Sequence, residues 1–285
     1  MIHSMTGYGK SVLELSNKTI RIEIRSLNSK SLDLNVRTPV LYRVKELELR
    51  KLIGSRLKRG KVDFSLYVEY NKGETPAKIN QKVVQNYIQQ LKTIAEAEDS
   101  ELLKMAVRMP DALSTDHEDI DALEWDKVSS EIAKTLDHIE GYRKDEGLAL
   151  EQDFIQRIAN IKSLLKEVTA IDPERVEHVR QRLNKGVADL KENIDQNRFE
   201  QELIYYIEKL DITEEKIRLQ NHLDYFESAL SSKDSNGKKL GFIGQEMGRE
   251  INTIGSKANY APMQKMVVQM KDELEKIKEQ LLNVL

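Results

Sequence analysis

Two segments decide the fold of the C-terminal part of the chain: RFEQELIYYIEKLDITEEKIRLQNHLDYF (residues 198–226) and GKKLGFIGQEMGREINTIGSK (residues 237–257). Each carries polar side chains at intervals of four, three and four residues, which are Asp211, Glu215, Arg218 and His222 in the first and Glu246, Glu250, Thr253 and Lys257 in the second. These intervals place side chains on one face of an α-helix. The sequence therefore predicts two helices, each with a polar stripe. The stripes form a site if they face each other and ordinary surface if they face water.

Composition bounds what this pattern can mean. The chain has 285 residues, a formal net charge of -3 and no cysteine. It therefore has no disulfide, no thiolate metal site and no cysteine nucleophile. The slightly acidic balance means that nucleic-acid binding would need a local basic surface. No apolar run is long enough to span a membrane and no secretory signal is recognised, so a cytoplasmic protein is expected.

Residues 1–124 are predicted to form an α+β domain with an antiparallel sheet. Apolar residues alternate with polar ones in three runs, as expected for half-buried strands: Ile20 to Ile24, Leu32 to Val36 and Val62 to Tyr70. Turns at 16–18 and 27–30 would join the runs as hairpins. A helix is expected after Pro39 and another over 81–97, followed by an acidic surface connection over 98–126.

The remainder is predicted to be helical. Residues 125–197 would form a hairpin arm of two helices, because Asp172 and Pro173 suit the cap and first position of a second helix. Such an arm binds a partner, gates access or acts as a packing spacer. Residues 198–285 would form a helical C-terminal domain, in which Met263, Val267 and Met270 begin an apolar stripe on the last helix.

Two N-terminal features have both a functional and a structural interpretation. Gly7 and Gly9 flank Tyr8, which is compatible with a phosphate-contacting loop but favours a bulge or turn at the start of a strand. Lys58, Arg59 and Lys61 form the best local basic cluster of this domain, and a solvated turn explains them equally well.

The two polar stripes contain the groups that a metal-assisted phosphodiester site needs. Carboxylates suit Mg²⁺ and Mn²⁺, and the candidate ligands are Asp211, Glu215, Glu246, Glu250 and Glu202. His222 could transfer a proton or bind the metal. The candidates for contacts with phosphate or sugar are Arg218, Arg249, Lys257, Asn252 and Ser256.

Each of these residues also has an ordinary explanation. Asp211 is placed to cap the helix that follows it. Glu215 and Arg218 have the spacing of an exposed ion pair, and a single histidine is more often structural than catalytic. Spacing alone therefore favours a polar surface over a catalytic site.

Longer motifs add a resemblance. The opening MIHSMTGYGK, with IEIRSLNSKSLDLNVR and RGKV, resembles the N-terminal signature of the YicC/YloC family. RFEQE, DITEEKIRLQNHL, GKKLGFIGQEMGREINTIGSKAN and VVQMKDELEKIKEQLLNV resemble its C-terminal region, so the likeness covers the whole chain.

The resemblance implies a cytosolic, divalent-metal-dependent endoribonuclease that forms a clamp-like homo-hexamer around RNA. Carried over to this sequence, the family's polar signature falls on the candidate residues named above, and the hypothesis is that His222 and Glu246 carry catalysis. Metal binding would fall to Asp211, Glu215, Glu250 and Glu202, with Mn²⁺ or Mg²⁺ as the ion. RNA contacts would fall to Arg218, Arg249, Asn252, Ser256 and Lys257. The competing interpretations are a non-catalytic RNA-binding adaptor and a purely structural oligomer.

Overall fold

The computed structural model describes residues 2–71, 77–115, 120–189, 196–232 and 237–285. Within these residues the chain forms two compact units, one of residues 8–140 and one of residues 1–7 with 141–285. The protein is an α+β protein, as predicted. The proposed division at residues 124 and 197 stays a prediction.

The first unit is built on a four-stranded sheet. Its strands are β1 (Gly7–Glu14), β2 (Lys18–Leu27), β3 (Leu32–Arg37) and β4 (Gly60–Tyr70), in the order β1-β2-β4-β3. β2 pairs with β4 in antiparallel fashion, but β3 pairs with β4 in parallel. The prediction of a purely antiparallel sheet is therefore wrong, and residues 27–30 do not form a hairpin turn. A parallel pair needs a crossover, which is supplied by a 3₁₀ turn (Val40–Lys45) and α1 (Glu46–Leu57).

Alternation of apolar residues predicts the buried face of this sheet correctly. Ile20, Ile22 and Ile24 of β2 and Phe64 of β4 are fully buried. They pack against α1 and against the first part of α4 (Ala122–Asp189), which contributes Trp125, Val128, Ile132, Leu136 and Ile139. The sheet thus has one covered face and one polar face.

Residues 77–115 contain more regular structure than the sequence indicates. After β5 (Ala77–Ile79) come α2 (Gln81–Ile94), which confirms the predicted helix, and α3 (Asp99–Ala106). β6 (Leu113–Thr115) then pairs with β5. The prediction of an irregular connection over 98–126 is wrong in its described part, because Leu102 and Ala106 of α3 are buried and form a small apolar face.

Helix α4 corrects the predicted hairpin. It runs without a break from Ala122 to Asp189, and Pro173 lies inside it. The predicted turn over residues 172–175 does not exist. The first predicted apolar seam, Phe154 to Val168, is buried, whereas of the second seam only Val179 is fully buried in the described residues. Leu190 and Ile194 of that second seam lie outside the described residues.

The second unit is a helical bundle. After α5 (Gln196–Lys209) follow α6 (Thr213–Leu230), α7 (Gly237–Lys257) and α8 (Ala261–Leu281). Residues 154–168 of α4 and the apolar faces of α6, α7 and α8 form one core. The predicted stripe of α8 is confirmed, since Met263, Val267 and Met270 are buried. No helix of the described segments is long and apolar enough to cross a membrane.

Gly9 explains the glycine-rich start without a loop. It lies within β1, and a Cβ there would stand 2.6 Å from the carbonyl oxygen of Thr135 on α4. Glycine is therefore required by close packing of the strand against the helix. The predicted bulge or turn is absent, because β1 is regular from Gly7 onwards.

Candidate functional site: a polar groove between two helices

The two predicted polar stripes lie along the same side of one antiparallel helix pair. At one end, Lys257 Nζ of α7 is 2.8 Å from Glu215 Oε1 of α6. Towards the other end, Lys239 Nζ of α7 lies 4.9 Å from the ring centroid of Tyr225 of α6. These two contacts define a polar groove, lined by Glu215, Arg218, His222 and Tyr225 of α6 and by Lys239, Phe242, Glu246, Glu250 and Lys257 of α7.

His222 and Glu250 lie on the polar stripes of two antiparallel helices. The Glu215–Lys257 contact sets His222 opposite Glu250, which is seven residues before Lys257, whereas the Lys239–Tyr225 contact sets it opposite Phe242. His222 therefore faces the stretch of α7 from Phe242 to Glu250, which also contains Glu246. Seven residues is close to two helical turns, so both remain on the side of the groove.

Among the described residues, the side chains of Glu250 and His222 have no polar partners that would give them a role in stabilising the fold. Glu250 is 8 % exposed. It makes no hydrogen bond or ion pair within the part of the chain that the structure describes. His222 is half-buried and likewise has no polar partner there. The Glu250 oxygens are not among the fully buried atoms without a partner in the described residues, so they remain able to contact water, an ion or a substrate.

The first end of the groove is held together by Lys257. Besides Glu215, its ammonium donates to the backbone carbonyl of Asp211, at 2.8 Å. Glu215 is 7 % exposed, and its second oxygen, Oε2, is buried without a hydrogen-bond partner. The Asp211 carboxylate accepts hydrogen bonds from the backbone N–H and hydroxyl of Thr213. The N-cap of α6 is Ile212 and has no side-chain cap, so Asp211 does not cap the helix as expected but stabilises its start from one residue earlier.

Arg218 and Arg249 are accessible cations of the two helices. Arg218 pairs with Glu214 on its own helix, and both side chains are more than half exposed. Arg249 pairs with Glu246 at 3.2 Å, again within one helix and in contact with solvent. Exposed pairs of this kind contribute only about 0–1 kcal/mol, so either arginine can exchange its carboxylate for a phosphate.

The structure does not bring the remaining predicted residues into the groove. Glu202 is exposed on α5. Asn252 is two residues beyond Glu250, which turns it to nearly the opposite side of α7. The Ser256 hydroxyl donates to the carbonyl of Thr253 on its own helix. Roles for these three residues in metal or RNA binding stay predictions.

A buried charge cluster positions the start of α6. Arg175 of α4 is 2 % exposed and donates to Asp172 at 2.7 Å and to the carbonyl of Leu210 at 2.9 Å. Lys216 of α6 donates to the other Asp172 oxygen at 2.7 Å. Burial alone would raise the pKa of Asp172, but the hydrogen bonds from Lys216 and Arg175 outweigh it and lower that pKa. Sequence reasoning missed this cluster because the proline at position 173 favoured Asp172 as a helix cap.

Sequence reasoning also missed the aromatic end of the groove. Phe242 is 69 % exposed and Tyr225 is 49 % exposed. Tyr225 lies one turn after His222, and Phe242 lies one turn before Glu246. The same helical spacing that selected the charged groups could therefore have found both rings.

The donor set bears on the predicted metal. Within the described residues, no three His, Asp, Glu or Cys side chains lie close enough to hold a metal ion. The predicted ligands Asp211, Glu215, Glu250 and Glu202 do not form such a group in the described residues, and their role in metal binding stays a prediction. Mg²⁺ usually takes only one or two protein carboxylates and completes its shell with water and substrate phosphate. Glu250, whose side chain has no partner in the described residues, fits that simpler arrangement.

The fold and the groove together define the class of protein. It is an α+β protein of two units, and a polar groove between two helices of one unit carries a histidine and a carboxylate without partners in the described residues, beside arginines in exposed ion pairs. Family models match both parts, "Endoribonuclease YicC-like, N-terminal region" over residues 2–152 and "Endoribonuclease YicC-like, C-terminal" over residues 168–285. The chain belongs to the endoribonuclease YicC-like family.

Curated relatives agree over the full length. A probable endoribonuclease YicC of Clostridioides difficile is 32% identical over 295 aligned positions, covering 100% of both chains. A probable endoribonuclease YicC of Haemophilus influenzae is 31% identical over 287 positions, again covering 100% of both.

Proposed function

We propose that the protein is an endoribonuclease and that it cleaves RNA phosphodiester bonds in the polar groove between α6 and α7. Membership of an endoribonuclease family supports the reaction class. The observation that carries the location is that His222 and Glu250 lie on the polar stripes of α6 and α7 and that neither side chain has a polar partner in the described residues. Arg218 and Arg249 lie within one turn of His222 and Glu250, respectively.

RNA binding begins with the exposed cations. A phosphate displaces Glu214 from Arg218 or Glu246 from Arg249, because a charge-assisted bond to phosphate replaces an ion pair of small net value. Lys257 does not take part in the same way. Its ammonium compensates the buried Glu215, and removing it would leave a desolvated carboxylate.

His222 transfers the proton. Imidazole titrates near neutrality, so it can accept a proton from the attacking oxygen or give one to the leaving oxygen. In the RNA complex Glu250 would stabilise the protonated ring, which requires the carboxylate to approach His222, because the two side chains form no ion pair in the described residues. The half-buried position of His222 leaves one side open to substrate.

Divalent-metal dependence is part of this proposal. Mn²⁺ or Mg²⁺ would be held by Glu250 and would neutralise charge on the phosphate and activate water, which leaves His222 for proton transfer. Glu246, half-buried and paired with Arg249, is one turn from Glu250 and would be a second ligand. Asp211, Glu215 and Glu202 are less suited as ligands, because the first two are committed to the α6 start and the third is on α5.

The predicted homo-hexamer and cytoplasmic location are also proposed. A clamp of several copies would place several grooves along one RNA. Sedimentation equilibrium of the purified protein tests the assembly, since a monomeric mass at micromolar concentration contradicts it.

The deciding experiment is cleavage of an end-labelled RNA by purified protein with Mn²⁺, with Mg²⁺ and with chelator. The variants are His222→Ala and Glu250→Gln, and the matched control is Gln245→Ala, at an exposed position of the same helix outside the polar stripe. His222→Ala is expected to lower kcat by about 10²–10⁴-fold, as for loss of a general acid or base. Gln245→Ala should retain activity.

The outcomes separate this proposal from its rival. RNA binding without cleavage under any ion condition would identify a non-catalytic adaptor. Undiminished cleavage by both variants would move the active site away from His222 and Glu250. Cleavage that persists in chelator would show that no divalent metal is needed, and the proposed location of the active site in the groove would be unaffected.

A further inference from the structure

We propose that Phe242, Tyr225 and Lys239 form a subsite for an unpaired nucleobase and its phosphate, which makes the groove selective for single-stranded RNA. The inference rests on the proposed function, because it takes the His222 and Glu250 side chains as the reaction centre. It adds a substrate class and three residues with an assigned role.

The two rings are available for contact. Phe242 is 69 % exposed and Tyr225 is 49 % exposed. A phenylalanine as open as this keeps much of its ring surface accessible. Every nucleobase has a π-face, so such rings bind single strands with little sequence preference.

Lys239 supplies the charge. Its ammonium lies 4.9 Å from the centroid of the Tyr225 ring, a cation–π distance, and one turn from Phe242 on the same side of α7. It makes no ion pair with a carboxylate in the described residues. A lysine near an exposed ring, without a carboxylate partner in the described residues, suits a strand whose base stacks on a ring while its phosphate binds the ammonium.

The subsite adjoins the reaction centre. Phe242 lies eight residues before Glu250 on the same helix, which is about 12 Å along the axis at 1.5 Å per residue. Tyr225 is one turn from His222. A strand lying in the groove would therefore pass the rings and the reaction centre in turn.

The surroundings favour RNA over a protein partner. Around Phe242 and Tyr225 the groove is polar, with His222, Glu246 and Lys239 next to the rings. Protein interfaces are built on contiguous apolar cores, whereas isolated rings beside cations are typical of single-strand binding. A duplex keeps its bases stacked inside the helix, so its bases cannot reach these rings.

The test measures binding apart from cleavage. Fluorescence anisotropy is followed with a labelled 2′-O-methyl oligouridine in chelator, alone and annealed to its complement. Phe242→Ala should weaken binding of the single strand by about 5- to 150-fold, the range for loss of one base stack. Phe242→Tyr should restore it. Lys239→Ala should lower the salt dependence of binding by about one phosphate contact.

Ile217→Ala is the matched control, because Ile217 is 58 % exposed on α6 but faces the groove next to α4 rather than the polar groove. Equal losses for single strand and duplex, or unchanged binding by Phe242→Ala, would overturn the subsite. A lower assembly mass of Phe242→Ala in sedimentation would instead make the rings a protein interface, and that too overturns it.

The two proposals fail separately. If the unmodified protein does not cleave RNA but Phe242→Ala still selectively weakens single-strand binding, the nuclease proposal fails and the subsite stands. If cleavage is normal and the variant binds normally, the subsite alone is wrong.

Discussion

Replacing Asp172 by asparagine tests whether the buried charge cluster holds α4 against the start of α6. Arg175 is 2 % exposed, and Asp172 is the carboxylate that compensates it. The asparagine side chain would keep the shape but leave a buried guanidinium without an anion. Removing one partner of a buried pair costs about 3–5 kcal/mol. We expect about 3 kcal/mol for Asp172→Asn, because the carbonyl of Leu210 remains as an acceptor.

Urea unfolding followed by circular dichroism measures this loss. With a slope of about 3 kcal/mol per molar urea, the midpoint should fall by about 1 M. Glu214→Gln is the control, since the Glu214–Arg218 pair is exposed and worth about 0–1 kcal/mol. Hydrogen exchange should quicken in residues 169–176 and 212–218 of Asp172→Asn and remain unchanged in the control.

The pH dependence of the stability difference between the wild type and Asp172→Asn is an independent test of the charge cluster. The pKa of Asp172 is lowered in the folded state, so its contribution is present above the ordinary aspartate value of about 3.9. That contribution is lost as pH falls through the lower folded-state pKa. The stability gap between the wild type and Asp172→Asn should therefore be constant near neutrality and close below about pH 4. A gap under about 1 kcal/mol, or one that does not close in acid, would refute the account of the cluster.

Three further changes test other parts of the structure. Gly9→Ala should destabilise the N-terminal unit by roughly 1–3 kcal/mol, because its Cβ would lie 2.6 Å from the carbonyl oxygen of Thr135. Gly141→Ala is the control, since the space around Gly141 is open, and thermal melts should show it to be neutral or stabilising. Lys257→Ala should cost about 3 kcal/mol in urea unfolding by uncovering Glu215. Arg249→Ala should leave stability within about 0.5 kcal/mol but reduce the slope of log RNA affinity against log salt by about 1, and a loss of stability with an unchanged slope would contradict its assignment.

The sequence predicted elements well where a single period dominates. Ile20, Ile22 and Ile24 alternate and are buried, and Met263, Val267 and Met270 follow a helical period and are buried too. It predicted sheet order less well. A run of alternating residues shows which face is buried but not which strand lies next to it, so the insertion of β4 between β2 and β3 could not be foreseen.

Pro173 shows why local rules failed in the long helix. Proline inside a helix removes one hydrogen bond and costs about 3 kcal/mol, which makes a break the better local prediction. The helix continues because Arg175 and Asp172, just after and before that position in the chain, join a buried cluster with Lys216. That compensation depends on residues far apart in the chain, since Lys216 is 44 residues from Asp172, and spacing within one helix cannot reveal it.

The candidate site shows the same difference between what local spacing predicts and what contacts between distant residues decide. Spacing correctly selected one side of α6 and α7, but it could not distinguish cations that are committed from cations that are available. Lys257 and Arg218 belong to the same predicted stripes, yet Lys257 compensates a buried carboxylate and Arg218 pairs with an exposed one. Only the second kind of pair opens at low cost when a phosphate arrives. The groove can therefore remain electrostatically balanced without RNA and still bind it, which is how a chain with a net charge of -3 can act on a polyanion.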